Sequence, residues 1–311
     1  MAMKEIELSK KQGEAWALLT DKETWEIGYW GGAGWGKSFL GVAWLWVMAN
    51  NYPWTRWFMG RRELTNLKRS TLNSYFKFLE TYNVPKKNRG KLNQKDNVIT
   101  FPNMSEILLL DCSYQPSDPL YTRFGSLELT GGFIDESNEI SEQCVAILNS
   151  RVGRHRNDQY NITPKILETF NPDKGHVYRR YFVPWKKGEL PPHRKFLQSL
   201  VGDNPKIEAG YKWQLERLDE VSKQRLLYGN FEYDNTFGKL FRYDEIVDLF
   251  SCNVEKDDTF YISADIARFG ADKTVISVRK GYEVIKFYTL IEQPTDIVAD
   301  KILELEQEFN V

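Results

Sequence analysis

One eight-residue run, Gly31-Gly32-Ala33-Gly34-Trp35-Gly36-Lys37-Ser38, constrains this chain more than any other. It fills the pattern Gly-x-x-x-x-Gly-Lys-Ser/Thr between an extended stretch at 25–30 and an apolar, helix-like run at 39–49. The order strand, glycine-rich loop, helix is what a phosphate cradle requires. Glycines let the backbone curl until successive N–H groups point at one centre, and the positive end of the next helix adds to their field. In that geometry Lys37 reaches the β- and γ-phosphates of ATP, and Ser38 ligates Mg²⁺.

The 311 residues allow about two domains. A hydrophobic fraction of 41% supports a large core, and ten tryptophans point to wide packed surfaces, subunit interfaces among them. The net charge is −1, so a nucleic-acid partner must be met by local basic patches rather than bulk charge. Cys112, Cys144 and Cys252 are isolated, which fits a reducing compartment and offers neither a disulfide framework nor zinc spacing. The longest apolar run, 41–49, is too short to span a bilayer, and the N-terminus lacks a signal-peptide core, so no membrane partner is expected.

Patterning along the chain alternates strands with helices. Residues 9–19 read as a helix and 56–60 as a strand. Residues 63–82 have helical spacing, and 85–95 form a basic loop. Residues 97–101 and 106–110 pair around a turn at Pro102-Asn103. Residues 128–135 lead to an acidic strand end, 138–152 to a helix, and 165–170 to a strand before Asn171-Pro172. This implies an α/β domain whose mostly parallel sheet is flanked by helices. It is assigned to 1–230, with a helical C-terminal part. Residues 231–258 lack a period and read as a linker. Residues 259–311 give three strands and a helix, the first part of a second domain.

ATP hydrolysis needs a carboxylate near the metal and another that activates water. Asp135 and Glu136, after Phe133-Ile134, supply that pair. Alone the pair also fits a solvated acidic turn; the upstream loop favours the catalytic reading. An arginine near the γ-phosphate adds about 10³–10⁵ in rate. Arg123, Arg61 and Arg62 are the candidates, each equally readable as a surface arginine. His155, His176 and His193 lack zinc or triad spacing and read as structural, and Trp44 and Trp46 read as core.

These residues resemble the large terminase subunit of tailed bacteriophages, the ATP-driven DNA-packaging motor. Five segments carry the likeness across nearly the whole chain: the loop GGAGWGKS, RRELTNLKRST at 61–71, ETFNPDKGHVYRRYF at 168–182, DNPKIEAGYKWQLERLDEVSKQRLLYGNFEYD at 203–234, and ADIARFGADKTV at 264–275. The resemblance implies an additional-strand, catalytic-Glu ATPase followed by a ribonuclease-H-like domain. It makes Gln12 the adenine reader, Asn171 a γ-phosphate sensor in a coupling segment, and Arg123 an arginine that reaches a neighbouring subunit's site. Asp135 positions the metal and Glu136 is the catalytic base. Asp265 becomes the first metal carboxylate of the nuclease, with Asp272 a weaker candidate. Double-stranded DNA, a homo-oligomeric ring, the portal protein and the small terminase subunit are the implied partners, and the infected host's cytoplasm the implied location.

Two departures stand beside the likeness. Ala33, Gly34 and Trp35 fill loop positions where many relatives carry an arginine. The nuclease needs acidic residues on later strands, so the chain as given is expected not to cut DNA. Basic groups at Lys86, Lys87, Arg89 and Lys91, at Arg151, Arg154 and Arg156, and at Arg179-Arg180 read as solvated surface or as DNA contacts. A helicase or remodelling translocase shares the loop and the acidic pair, and a non-catalytic ATP-binding subunit or a small-molecule kinase would share the loop.

Overall fold

The parallel strands at 26–31, 56–61, 131–134 and 165–170 are buried along nearly their whole length, because both faces of the sheet are covered there. The computed structural model describes residues 3–32, 36–200, 203, 209–233, 257–267 and 272–311. The chain divides into two compact units, 1–238 and 239–311.

The first unit holds an eight-stranded sheet in the order β3-β4-β5-β2-β6-β7-β1-β8. Its strands are β1 (Glu26–Gly31), β2 (Arg56–Arg61), β3 (Lys91–Asn93), β4 (Val98–Thr100), β5 (Glu106–Asp111), β6 (Gly131–Ile134), β7 (Lys165–Phe170) and β8 (Arg194–Ser199). The pairs from β5 through β8 are parallel, and only β3-β4 and β4-β5 run antiparallel. The expected hairpin at 97–110 is the β4-β5 pair. Part of the expected basic loop at 85–95 is instead β3, an edge strand with two exposed residues. The additional strand is present: β7 lies between β1 and β6.

Helices α1 (Lys10–Thr20), α2 (Lys37–Asn51), α3 (Leu64–Asn66) and α4 (Leu72–Thr81) follow the predicted helical stretches. A π-helical turn, Leu67–Thr71, joins α3 to α4. On one side of the sheet, residues of α1, α2 and α4 form a core with Ile27, Tyr29, Trp57, Met59, Phe133 and Leu167. Trp44 and Trp46 lie in it, as read from the sequence. A second cluster sets α5 (Glu142–Asn149) against Phe58, Ile134 and Ile166. A third joins Trp30 and Phe170 to Tyr181 and Phe182, ahead of α7 (Val183–Lys187), with the short α6 (Asn157–Tyr160) earlier in the chain. Phe231, at the start of the expected linker, is buried in this aromatic group, and 234–256 lie outside the described residues. Helices α8 (Ala209–Glu216) and α9 (Glu220–Leu226) close the unit around Leu215 and Leu227.

The second unit has an antiparallel sheet, β11-β10-β9, of β9 (Phe260–Asp265), β10 (Lys273–Lys280) and β11 (Glu283–Ile291). Helix α10 (Thr295–Phe309) covers one face, burying Ile276, Val278, Val298 and Leu305.

Close packing of α2 on the sheet depends on Gly41. A Cβ there would lie 2.5 Å from the ring of the fully buried Phe133. Gly41→Ala is expected to destabilise the protein by about 1–3 kcal/mol, exceeding the helix-propensity gain of about 1 kcal/mol. Urea unfolding checks this, and a stabilised variant would refute it.

Candidate nucleotide site

Parallel α/β sheets present ligand sites at the carboxyl ends of their strands. Here β1 ends at Gly31, β6 ends just before Asp135-Glu136, and β7 ends just before Asn171. Three adjacent strand ends therefore bring together residues about 135 positions apart. The loop tip, Ala33, Gly34 and Trp35, lies outside the described residues. Gly36 caps α2 with φ 69°, a left-handed conformation that favours glycine.

Lys37 is buried at 7% exposure. Its ammonium donates to Gly31 O at 2.9 Å, Gly32 O at 2.8 Å and Asn171 Oδ1 at 2.8 Å. Burial pushes its pKa down to about 8, against the opposing pull of Glu136 and Asp135. The Asn171 amide then donates to Glu136 Oε2 at 2.9 Å. One side chain thus joins the loop lysine to the second acidic residue.

Asp135 is gripped by three hydroxyls. Ser38 donates at 3.0 and 3.1 Å, Thr71 at 2.6 Å and Thr169 at 2.7 Å. Ser38 lies in the first turn of α2, Thr169 on β7 and Thr71 in the π-helical turn. The wider turn contributes a fully buried threonine to the carboxylate, and such turns recur at functional sites. Ser38 and Asp135 together make an all-oxygen set that suits Mg²⁺.

Glu136 has φ 53° and ψ 50°. A left-handed conformation costs a non-glycine residue about 1–2 kcal/mol, and the surrounding bonds must hold it there. Burial raises the Glu136 pKa, as does the Asp135 charge, while Lys37 and Arg61 oppose the rise. A carboxylate with a raised pKa is a stronger base.

The arginines fall in different places. Arg123 is committed to Asp118 at 2.9 Å and to Ser113 O at 2.5 Å, with its guanidinium 4.8 and 4.7 Å from the Tyr121 and Phe124 rings. None of these contacts belongs to the phosphate loop or to the Asp135-Glu136 pair. Arg61 bonds Ser70, and its charge is felt at Glu136. Arg225, unforeseen from the sequence, donates to Pro172 O at 2.8 Å and its charge is felt at Lys37. Arg180, grouped above with surface cations, is an inward ion pair with Glu168 and Glu26 at 3.0 and 2.5 Å.

Gln12 ties the first helix to the loop. Its Oε1 accepts from Ser9 N at 2.9 Å in a capping box, and its Nε2 donates to Gly36 O at 3.2 Å. His155, His176 and His193 sit apart, as read. In the second unit Asp265 and Asp272 are exposed at the ends of β9 and before β10. Among the described residues no group of three or more His, Cys, Asp or Glu side chains is arranged to hold a metal. A separate cavity of about 470 Å³ opens at the opposite ends of the strands, beside Trp25, Glu26, Lys165, Arg180 and Arg194.

No protein-family model and no curated protein matches the chain. Solved structures do. The large terminase of a thermophilic bacteriophage, in complex with ADP, aligns at 17% identity and a TM-score of 0.58, over 96% of this chain and 74% of that one. The large terminase of bacteriophage HK97 aligns at 14% identity and 0.54, over 88% of this chain and 60% of that one. The fold is that of a large terminase. The ATPase domain of a Thermus phage large terminase, at 10% identity and 0.51, covers 72% of this chain and 94% of its own length. Within the large-terminase fold, the loop of Lys37 and the pair Asp135-Glu136 fall on strand ends separated by β7 alone.

Sequence patterning missed Thr71, Thr169 and Arg225. Only the Thr before the Asn171-Pro172 turn carried a local signal, its place on a strand feeding the site. Thr71→Val removes a donor from a buried carboxylate and is expected to cost about 1–3 kcal/mol. Urea unfolding without nucleotide measures this, and an unchanged midpoint would remove Thr71 from the site's support.

Proposed function

We propose that this chain is the ATP-hydrolysing motor of a phage DNA-packaging machine, a large terminase subunit driving double-stranded DNA into a procapsid. The observation that carries the reading is the Lys37–Asn171–Glu136 connection beside the Ser38–Asp135 pair. It brings Lys37, Asn171, Glu136 and Asp135 together, which supports reading them as phosphate cation, polar sensor, base and metal-positioning carboxylate. The similar large terminase of the thermophilic bacteriophage has structures in complex with ADP and with ATP-gamma-S, which supports nucleotide as the ligand.

The loop amides and Lys37 hold the phosphates, and Gln12 is assigned to the adenine. Ser38 and Asp135 are the residues that would hold Mg²⁺, which when bound neutralises charge on the β- and γ-phosphates. Glu136 accepts the proton of the attacking water. Its buried setting and raised pKa fit that task. Asn171, bonded to both Lys37 and Glu136, registers whether a γ-phosphate is present. Arg123 is assigned to a neighbouring subunit's site, which calls for a homo-oligomeric ring on DNA. The portal protein and small terminase subunit are the further partners, in the cytoplasm of the infected host. Among the described residues no helix is long and apolar enough to cross a membrane. The second unit is assigned to the opening of a ribonuclease-H-like nuclease domain, with Asp265 as a metal carboxylate.

ATP turnover measured against protein concentration tests the reading. Glu136→Gln is expected to lose about 10²-fold or more in kcat, in the range of general-base removal, with ATP still bound. Arg123→Ala is expected to abolish the faster-than-linear rise with concentration. A linear rise indifferent to Arg123, together with strand separation in an unwinding assay, would favour a helicase instead.

The two shifted groups set the pH dependence. Glu136 must be ionised, so kcat/KM falls as pH drops through its raised pKa, above the ordinary 4.5. Lys37 must be charged, so kcat/KM also falls as pH rises through about 8. The expected profile is a bell, since kcat/KM reports the free enzyme's groups. A flat alkaline limb up to Tyr or Arg titration would contradict the assignment of Lys37.

A further inference from the structure

Ser137 follows Glu136 and is fully buried. Its hydroxyl donates to Glu168 Oε2 at 2.6 Å and lies 3.3 Å from His176 Nε2. Glu168 is itself fully buried on β7, where it also accepts from Tyr181 OH at 2.7 Å and from Arg180 at 3.0 and 3.3 Å. Burial alone would raise its pKa, but Arg180, with His176 and Ser137, holds it well below the carboxylate range. The carboxylate is therefore a fixed charge and a fixed anchor.

Successive β7 residues point to opposite faces of the sheet. Thr169 bonds Asp135, and Glu168 bonds Ser137 two residues further on. The turn that carries Glu136 is gripped from both faces by one dipeptide. His176 comes from the loop that begins at Asn171, and Asn171 bonds the Glu136 carboxylate. The Glu136 end of that bond is tied to Glu168 through Ser137, and on the Asn171 side His176 Nε2 lies 3.8 Å from Glu168 Oε2. Arg180 continues the network to Glu26 at 2.5 Å, and Arg194 meets Glu26 at 3.1 Å. Tyr181 and the shorter Arg180 bond fall on Glu168 Oε1, and Ser137 is the nearest partner of Oε2. The bond anchors the chain where the backbone leaves the left-handed turn of Glu136.

We propose that Ser137, clasped by Glu168 and His176, is a positioning residue that aims the Glu136 carboxylate and ties it to the helical segment bearing Arg180 and Tyr181. The inference rests on the reading of Glu136 as the catalytic base. Misplacing a catalytic group by about 1 Å costs up to about 10²-fold in rate. Losing the clasp should therefore act on turnover and leave nucleotide binding alone.

The test compares Ser137→Ala with the parent chain and with Val145→Ala, a core deletion on α5 in the cluster that holds Ile134. Ser137→Ala is expected to lower kcat about tenfold or more, to keep the affinity for a fluorescent ATP analogue within about twofold, and to shift the acid limb of the pH profile. Val145→Ala should keep kcat within about twofold at a temperature where both variants are folded. Amide hydrogen exchange gives a readout independent of turnover: Ser137→Ala should speed exchange at 135–140 and at 171–176. A kcat within twofold of the parent with an unmoved acid limb would overturn the proposal, as would unchanged exchange in both segments. A parent chain that binds ATP without turnover fails the ATPase reading instead, and the exchange result then decides on the clasp alone.

Discussion

The first unit is organised around a buried ammonium. Lys37 is nearly inaccessible, and an isolated charge at such a depth is costly unless it is paired and hydrogen-bonded. Two loop carbonyls and Asn171 meet that need, and the charges of Asp135 and Glu136 offset the burial. Each requires its own backbone placement. The carbonyls come from the end of β1, Asn171 from the end of β7 and the carboxylates from the end of β6. The order β6-β7-β1 is then the arrangement that puts all three within reach of a single side chain. Thr169 and Asn171 show why the middle position matters, since one bonds Asp135 and the other bonds both Lys37 and Glu136.

Much of this fold is legible in the sequence because its strands are short apolar runs with abrupt ends. IGYW before the loop, KILETF before Asn171-Pro172 and GGFI before Asp135 each stop where a polar group must face the site. The hairpin at 98–111 also reads directly, since Pro102 and Asn103 break the pattern between two alternating stretches. β8 does not, because RKFLQS opens on two cations. Those cations are long side chains on a partly covered strand, and Arg194 reaches Glu26 across it. A pattern that scores polarity by residue type cannot see a cation folded inward.

The site was legible where chemistry is written into contiguous residues and obscure where it arrives by tertiary contact. Glycines, lysine and serine at fixed spacing declare the loop. Asp135-Glu136 declares itself only beside that loop. Thr71 has no local signal at all, since it is one of two adjacent hydroxyls in LKRST. It reaches Asp135 because the helix widens by a π-helical turn at that point, a backbone event that helical periodicity does not report. Arg180 misleads in the other direction. A run of Arg-Arg between aromatics suggests a basic surface, yet Arg179 pairs outward with Glu142 while Arg180 pairs inward with Glu168.

The disposition of cations bears on how such a site would be completed. The described part of the phosphate loop contributes a single cation, Lys37, and nearby positive charge comes from Arg61 and Arg225. Arg123 is held elsewhere, beside two rings and against Asp118, with its side chain 23% exposed. That setting is unsuited to an arginine that must swing into its own subunit's site, because the ion pair and two backbone carbonyls would have to be released together. It suits an arginine delivered as part of a rigid surface, whose ordering is already complete before it meets a phosphate. Under the motor reading, the firing of one site then depends on how well the next subunit's surface docks, so the step that follows hydrolysis is set by geometry between copies. Within one copy, Asn171 and the Ser137 clasp link Glu136 to Glu168 and so to Arg180.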